Sequence, residues 1–129
     1  MEKTFINSWK RSVQPRKQRK FRANAPLHTK RKFLAARLSK ELTEKHKVRS
    51  MPVRSGDKVK IVRGSYKGTL GKVSRVNVKI ERIYIEGTAR TKVNGTTSLY
   101  PIHPSNVIIH EMVLNDKHRK AVLQRRGSQ

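Results

Sequence analysis

The sequence predicts a mainly β fold: a small antiparallel barrel over residues 51–112, preceded by a basic extension (residues 1–50) with short helices and followed by a basic C-terminal helix (residues 113–129). Three observations predict it. From Met51 onward the apolar residues alternate with polar ones, as in "DKVKIVR", where Val59 and Ile61 face one way and Lys58, Lys60 and Val62 the other. Gly and Asn punctuate these runs at short intervals, most sharply at Val93–Gly95. The flanks instead show helix starts and dense positive charge.

Within the β region, "NVIIHEMV" reads as a further strand, and Val73, Arg75, Ile80, Ile83 and Ile85 continue a period near two. The Asn94-Gly95 pair suits the positive dihedrals of a type I′ hairpin turn. Five or so short strands in so few residues favour a barrel, because closure removes exposed edges. A domain of this size buries only about 60% of its unfolded surface and is marginal by itself.

In the extension, Pro26 opens a helical candidate, "PLHTKRKFLAARL", with Leu27, Phe33, Leu34 and Leu38 available for packing. Ser39 is an N-cap for "KELTEKHK", with Glu41 and Glu44 in its early turns. Both helices are short enough to need outside support. At the other end Asn115 or Asp116 caps "NDKHRKAVLQRR", whose Ala121 and Val122 stand among basic residues. No internal repeat is present.

Charge dominates the composition. Against 32 Lys and Arg stand 8 Asp and Glu, a formal +24 over 129 residues. Residues 1–55 carry net +14, residues 56–112 net +6 and residues 113–129 net +4. Such an excess calls for a polyanionic partner, and nucleic acid answers it best. The stretch "KRSVQPRKQRKFR" places seven basic residues in thirteen: Lys10, Arg11, Arg16, Lys17, Arg19, Lys20 and Arg22. It cannot bury enough apolar surface to fold alone and is expected to be a phosphate-binding arm, its sequence broken at Pro15.

Other classes fit less well. A membrane-surface helix wants aromatic and leucine-rich faces, whereas aromatics are 5% and the one Trp, Trp9, precedes Pro15. No apolar run approaches a membrane span, and "MEKTFINSWKRSVQ" lacks a signal-peptide core. Residues 10–22 are Arg-rich and acid-free like a transit peptide, but without its apolar helical stripe. Cysteine is absent, so neither disulfides nor thiolate zinc sites arise. His103, His110 and His118 are spaced to fall on different elements, and no carboxylates cluster to hold magnesium. Neither an enzyme, a cofactor nor a small-molecule substrate is expected.

The stretch "RGSYKGTLGKV", Arg63 to Val73, concentrates glycine and charge. A P-loop would need glycines five apart followed by Lys and a hydroxyl residue; here the glycines are 64, 68 and 71, and Val73 follows Lys72. "GTLG" formally matches the Gly-x-x-Gly clamp of a KH domain, but that clamp joins helices and these glycines join strands. A glycine-dependent turn between strands remains, with Arg63, Lys67 and Lys72 displayed around Gly68.

These residues also carry a resemblance. "GDKVKIVRGSYKGTLGKVSRVN" followed by "IYIEG" resembles a KOW motif, matched at Gly56, Asp57, Val59, Gly64, Lys67, Gly68, Gly71 and Val73. Together with "APLHTKRKFLAARLSKEL", "KVRSMPVR", "KVNGTT", "IHPSNVII" and "NDKHRKAVLQRR", it is similar to the eukaryotic and archaeal form of the large-subunit ribosomal protein family numbered twenty-four in bacteria and twenty-six in eukaryotes, over about residues 23–126. Asn106 stands where that family carries a basic residue, and Ser55-Gly56 replaces a more charged start.

The resemblance implies an SH3-like barrel with extensions embedded in large-subunit rRNA. It further implies neighbouring ribosomal proteins as partners, an early role in subunit assembly, and a place near the peptide exit tunnel. Location would be the cytoplasmic ribosome, with the nucleolus during assembly if eukaryotic. The alternative is a KOW-containing transcription or RNA-processing factor that binds RNA transiently. Expected RNA contacts comprise the arm, then Lys30, Arg31, Lys32, Arg49 and Arg54, then Arg63, Lys67, Gly68 and Lys72. Arg90 and Lys92 on the hairpin and Lys117, Arg119 and Lys120 on the last helix complete the set.

Overall fold

The computed structural model describes residues 5–6 and 11–128. Helices α1 (Pro15–Asn24) and α2 (Leu27–Phe33) lead into strand β1 (Ala35–Leu38), helix α3 (Lys40–His46) and strand β2 (Ser50–Pro52). Strands β3 (Lys58–Ile61), β4 (Leu70–Asn77), β5 (Arg82–Thr91) and β6 (Thr97–Ile102) follow. A 3-10 turn at Pro104–Asn106, strand β7 (Val107–Glu111) and helix α4 (Lys117–Gly127) complete the order. The fold is mainly β, as the alternation predicts.

One sheet of seven strands runs β2-β1-β7-β3-β4-β5-β6, antiparallel except where β1 pairs in parallel with β7. Its buried face supplies one core: Val59, Ile61, Val73, Ile83, Ile85, Val107 and Ile109 are each at most 1% exposed. Leu34, Ala36, Leu38 and Val48, from the N-terminal extension, pack into that same core, and so does Leu123 of α4. The expected boundary at Met51 therefore does not divide the core.

Several expectations are corrected. "AARL", expected at the end of a helix, is strand β1, because Ala35–Arg37 pair with β2 and Arg37–Leu38 with β7. Pro15 does not break the arm; it opens α1 at the first helical position, where its missing N–H costs nothing. The arm buries no residue of this helix, in keeping with its composition, yet it is held in place. The Arg22 guanidinium pairs with Glu81 and lies 4.9 Å from the centre of the Phe33 ring, and Phe21 meets Phe5 at 4.9 Å.

The β5–β6 hairpin closes differently from expectation. Among described non-glycine residues only Lys47 and Glu81 have positive φ, so Asn94 does not adopt the type I′ conformation. Instead the Gly95 N–H donates to Lys92 O at 3.0 Å, Gly95 has φ +84°, and the Lys92 N–H reaches Thr96 O at 2.8 Å. That is a three-residue loop with glycine in the left-handed position. Ile80, expected on a strand, sits in the β4–β5 turn and is 50% exposed.

Helix capping follows the sequence closely. Ser39 Oγ accepts from the Leu42 N–H, Glu41 lies in the first turn of α3 and Lys45 and His46 in the last, and Lys47 at φ +54° ends it. Asp116, rather than Asn115, caps α4 by accepting from the His118 N–H at 2.9 Å. That hydrogen bond holds the Asp116 carboxyl below the usual carboxylate range.

A buried ion pair fastens α4 to the sheet. Arg119 is 7% exposed and Asp57 fully buried. Arg119 Nη1 donates to Asp57 Oδ1 and Nη2 to Oδ2, each at 2.7 Å. Both nitrogens also donate to backbone: Nη1 reaches Val113 O at 3.0 Å and Nη2 reaches Pro52 O at 3.2 Å. Asp57 in turn accepts from the Arg54 N–H at 2.9 Å and the Val113 N–H at 3.0 Å.

Candidate nucleic-acid interface

The glycine loop joins β3 to β4 and is hydrogen-bonded within itself. The Gly68 N–H donates to Ile61 O at 2.7 Å, the Lys67 N–H to Gly64 O at 3.1 Å and the Thr69 N–H to Tyr66 O at 3.1 Å. Gly64 and Gly68 have φ of +96° and +90°, a region closed to most side chains, while a Cβ at either would meet open space. Both are required by backbone conformation. Gly71 is required by proximity: a Cβ there would overlap the Glu86 carbonyl oxygen and lie 2.6 Å from Ile85 Cγ2.

This pinned loop holds Arg63 and Lys67 out to solvent, and Lys72 is exposed on β4, opposite Lys58. Tyr66 points inward, packs against the core and donates its hydroxyl to Ala89 O at 3.2 Å. Its ring centre stands 5.6 Å from that of Tyr100 on β6. Arg75 lies over the Tyr84 ring at 5.5 Å. Charge and aromatic surface are thus interleaved around the sheet, a pattern suited to nucleic acid.

The predicted contact residues fall into three groups. Arg11, Arg16, Lys17, Arg19 and Lys20 line the exposed arm and α1, with Arg31 and Lys32 on α2 and Arg49 before β2. Arg90 and Lys92 project from the β5–β6 hairpin, and Lys117 and Lys120 from α4. A second group is partly committed: Arg22 to Glu81, Arg54 to Asp116 at 3.0 Å, and the half-buried Lys30 to Lys79 O at 3.2 Å. Arg119 is a correction, since its guanidinium is enclosed and both of its Nη groups are used by Asp57 and two carbonyls. Lys10 lies outside the described residues.

Sequence reasoning missed Arg82, Tyr100 and His103, which the fold brings beside Arg63. The signal was present only as scattered residues, because β6 and the 3-10 turn return to the glycine loop through tertiary packing. His103 Nδ1 accepts from the Ser105 N–H at 3.2 Å and lies 2.8 Å from Ser105 Oγ. Burial, and then the Arg82 and Arg22 charges, lower its pKa, with Glu81 opposing. The folded value lies below the ordinary value of about 6.5, so as pH falls the unfolded chain takes up a proton first. Stability from the neutral ring is present above about pH 6.5 and is lost as pH drops toward the folded value. The melting temperature of the full chain should fall across this range, and His103→Asn should flatten that decline; parallel curves would show that His103 contributes nothing to it.

His103, His110 and His118 occupy the 3-10 cap, β7 and α4 respectively, so their spacing is matched by separation in the fold. Among the described residues no three His, Cys, Asp or Glu side chains are grouped to hold a metal ion. Nor is any described helix long and apolar enough to cross a membrane.

The chain also matches a known protein family. A family described as ribosomal proteins L26 of eukaryotes and L24 of archaea matches residues 12–126, which take in α1, the glycine loop, the hairpin and all but the end of α4. With nearly the whole basic, loop-bearing chain covered, the protein belongs to this family of eukaryotic L26 and archaeal L24 ribosomal proteins and is a structural constituent of the ribosome.

Proposed function

We propose that this chain binds large-subunit rRNA directly and supports assembly of that subunit, near the peptide exit tunnel. The observation that carries the reading is the disposition of charge. The described carboxylates of Asp57, Glu81, Glu111 and Asp116 are each held in an ion pair, and one of these pairs is buried. Most of the +24 excess therefore faces outward from α1, the glycine loop, the hairpin and α4. Outward cations on rigid elements neutralise backbone phosphates, while the folded surface recognises RNA by shape. Family membership supports the ribosomal partner, and with it a cytoplasmic ribosome and a nucleolar assembly stage in a eukaryotic cell.

The deciding experiment is sucrose-gradient fractionation of lysate, with and without a high-salt wash, following the chain against large-subunit rRNA. Stoichiometric co-sedimentation that survives the wash is expected. Release into the light fractions would replace this reading with a transient KOW-type factor for transcription or RNA processing. The arm has its own test. Changing Lys17, Arg19 and Lys20 together to Gln should reduce the slope of log affinity against log salt by about 0.7–0.9 for each phosphate left without its cation. An unchanged slope would show that α1 does not touch RNA phosphates.

A further inference from the structure

Between the glycine loop and the base of β6 lies an open cleft of about 300 Å³, walled by Arg63, Tyr66, Arg82, Tyr100, His103 and Asn106 among others. Its size is at the lower end of small-ligand sites, enough for one planar ring system with an attached group. Its walls combine aromatic, cationic and amide character, the three features that a nucleotide uses.

We propose that this cleft receives a single unstacked RNA base and its adjoining phosphate, Tyr100 supplying the stacking surface and Arg63 and Arg82 the phosphate contacts. The proposal rests on the rRNA-binding reading and deepens it. Tyr100 is 43% exposed, an aromatic ring presented to solvent on an edge strand. It is braced, because the Tyr66 ring stands 5.6 Å behind it and Tyr66 is itself tied to Ala89. A preformed aromatic surface loses little freedom when a base settles on it.

The polar groups are poised rather than spent. Arg63 makes no side-chain hydrogen bond or ion pair among the described residues, and Arg82 uses only Nη1, donating to Glu81 O at 3.1 Å. Glu81, the carboxylate among the described residues whose charge acts on His103, is engaged by Arg22. Two guanidinium groups therefore face the cleft region without a carboxylate to neutralise both. Asn106 has its backbone fixed, donating to His103 O at 3.0 Å and accepting from the Val62 N–H at 2.9 Å, while its side-chain amide has no partner among the described residues. An amide both donates and accepts, which suits the edge of a base better than a phosphate. His103, with Nδ1 accepting from Ser105, carries its proton on Nε2 when neutral and adds a donor.

The cleft is assigned to RNA and not to a free nucleotide because the surrounding cations continue along the loop and α1, where a chain of phosphates would run. The test uses the full chain with single-stranded RNA pentamers of each base, an abasic ribose-phosphate pentamer, and nucleoside monophosphates. Ring resonances of Tyr100 and His103 report occupancy of the cleft. Base-bearing pentamers should shift both resonances and bind more tightly than the abasic one. Tyr100→Leu should weaken base-bearing pentamers by about 5- to 150-fold, leave the abasic affinity alone and keep the salt slope, since no charge is removed. Tyr100→Phe should retain binding. Unmoved ring resonances, equal affinity for abasic and base-bearing pentamers, or a Tyr100→Leu variant that binds like wild type would each overturn the pocket and leave rRNA binding standing. Monophosphates that bind as tightly as the pentamers would reassign the cleft to free nucleotides. Failure of the wild-type chain both to bind any pentamer and to co-sediment with large-subunit rRNA would overturn the pocket and the underlying reading together.

Discussion

Asp57→Ala should destabilise the folded chain by about 3–5 kcal/mol, the cost of removing one partner from a buried ion pair. Small domains are stable by only about 5–15 kcal/mol, so the loss would remove a large share of that margin. The loss exceeds that of a surface salt bridge because the pair is held inside the protein. Without the carboxylate, the 7%-exposed Arg119 keeps its charge but loses two hydrogen bonds at 2.7 Å, and the Arg54 and Val113 N–H groups lose their acceptor. Urea unfolding of the full chain measures the effect. The double variant Asp57→Leu/Arg119→Met, which removes both charges, should recover much of the stability, since apolar replacements of buried pairs are often neutral. A single-variant cost below about 1 kcal/mol, the range of exposed pairs, would show that water reaches Arg119 and relieves it.

Gly71→Val should cost about 3 kcal/mol, at the upper end of overpacking penalties, because its side chain would enter space held by the Glu86 backbone and by the fully buried Ile85 side chain. The crowding has a local origin. The β5–β6 ladder jumps register between Tyr84 and Ala89, Gly87 takes φ +85°, and Thr88 is buried with its hydroxyl donating to Ile85 O at 2.7 Å. This irregular segment presses against β4 where Gly71 passes. Gly68→Ala makes the contrast: open space surrounds it, so only backbone strain of about 1–2 kcal/mol applies. Equilibrium unfolding of both variants should rank Gly71→Val as the more damaging. The reverse order would mean that β4 and β5 separate readily and that loop conformation is the stricter demand.

What the sequence could disclose followed the range of the interactions involved. Strand β3 was legible because Val59 and Ile61 alternate with solvent-facing Lys58 and Lys60, and β7 because Val107, Ile108 and Ile109 form a short β-branched run, signals confined to adjacent positions. The Ser39 and Asp116 caps were legible for the same reason. Residues 35–38 were not: Ala, Arg and Leu favour a helix locally, and only pairing with β2 and the distant β7 makes them a strand. The KOW glycines were visible, but whether each serves conformation or close approach depends on what surrounds it in space. Arg119 looked like one more surface cation in a basic tail. Its partner Asp57 lies across the fold, and nothing near either residue in the chain reveals the pairing. Tyr100 was overlooked, and His103 weighed only as a metal ligand, for the mirror reason: both reach the glycine loop only through β6 and the turn that follows it.

The parallel pairing of β1 with β7 has a consequence for how the protein comes into being. Synthesis runs from the N-terminus, so Ala35–Leu38 emerge long before Val107–Glu111, their partner on one edge. During that interval the strand has only β2 beside it, and Asp57 waits uncompensated for Arg119. Non-local pairings of this kind are slow to form and leave apolar and unpaired groups open meanwhile. The nascent chain is therefore a strongly cationic, incomplete sheet until its last helix arrives, and early contact with a polyanion or a chaperone would shield it while it waits.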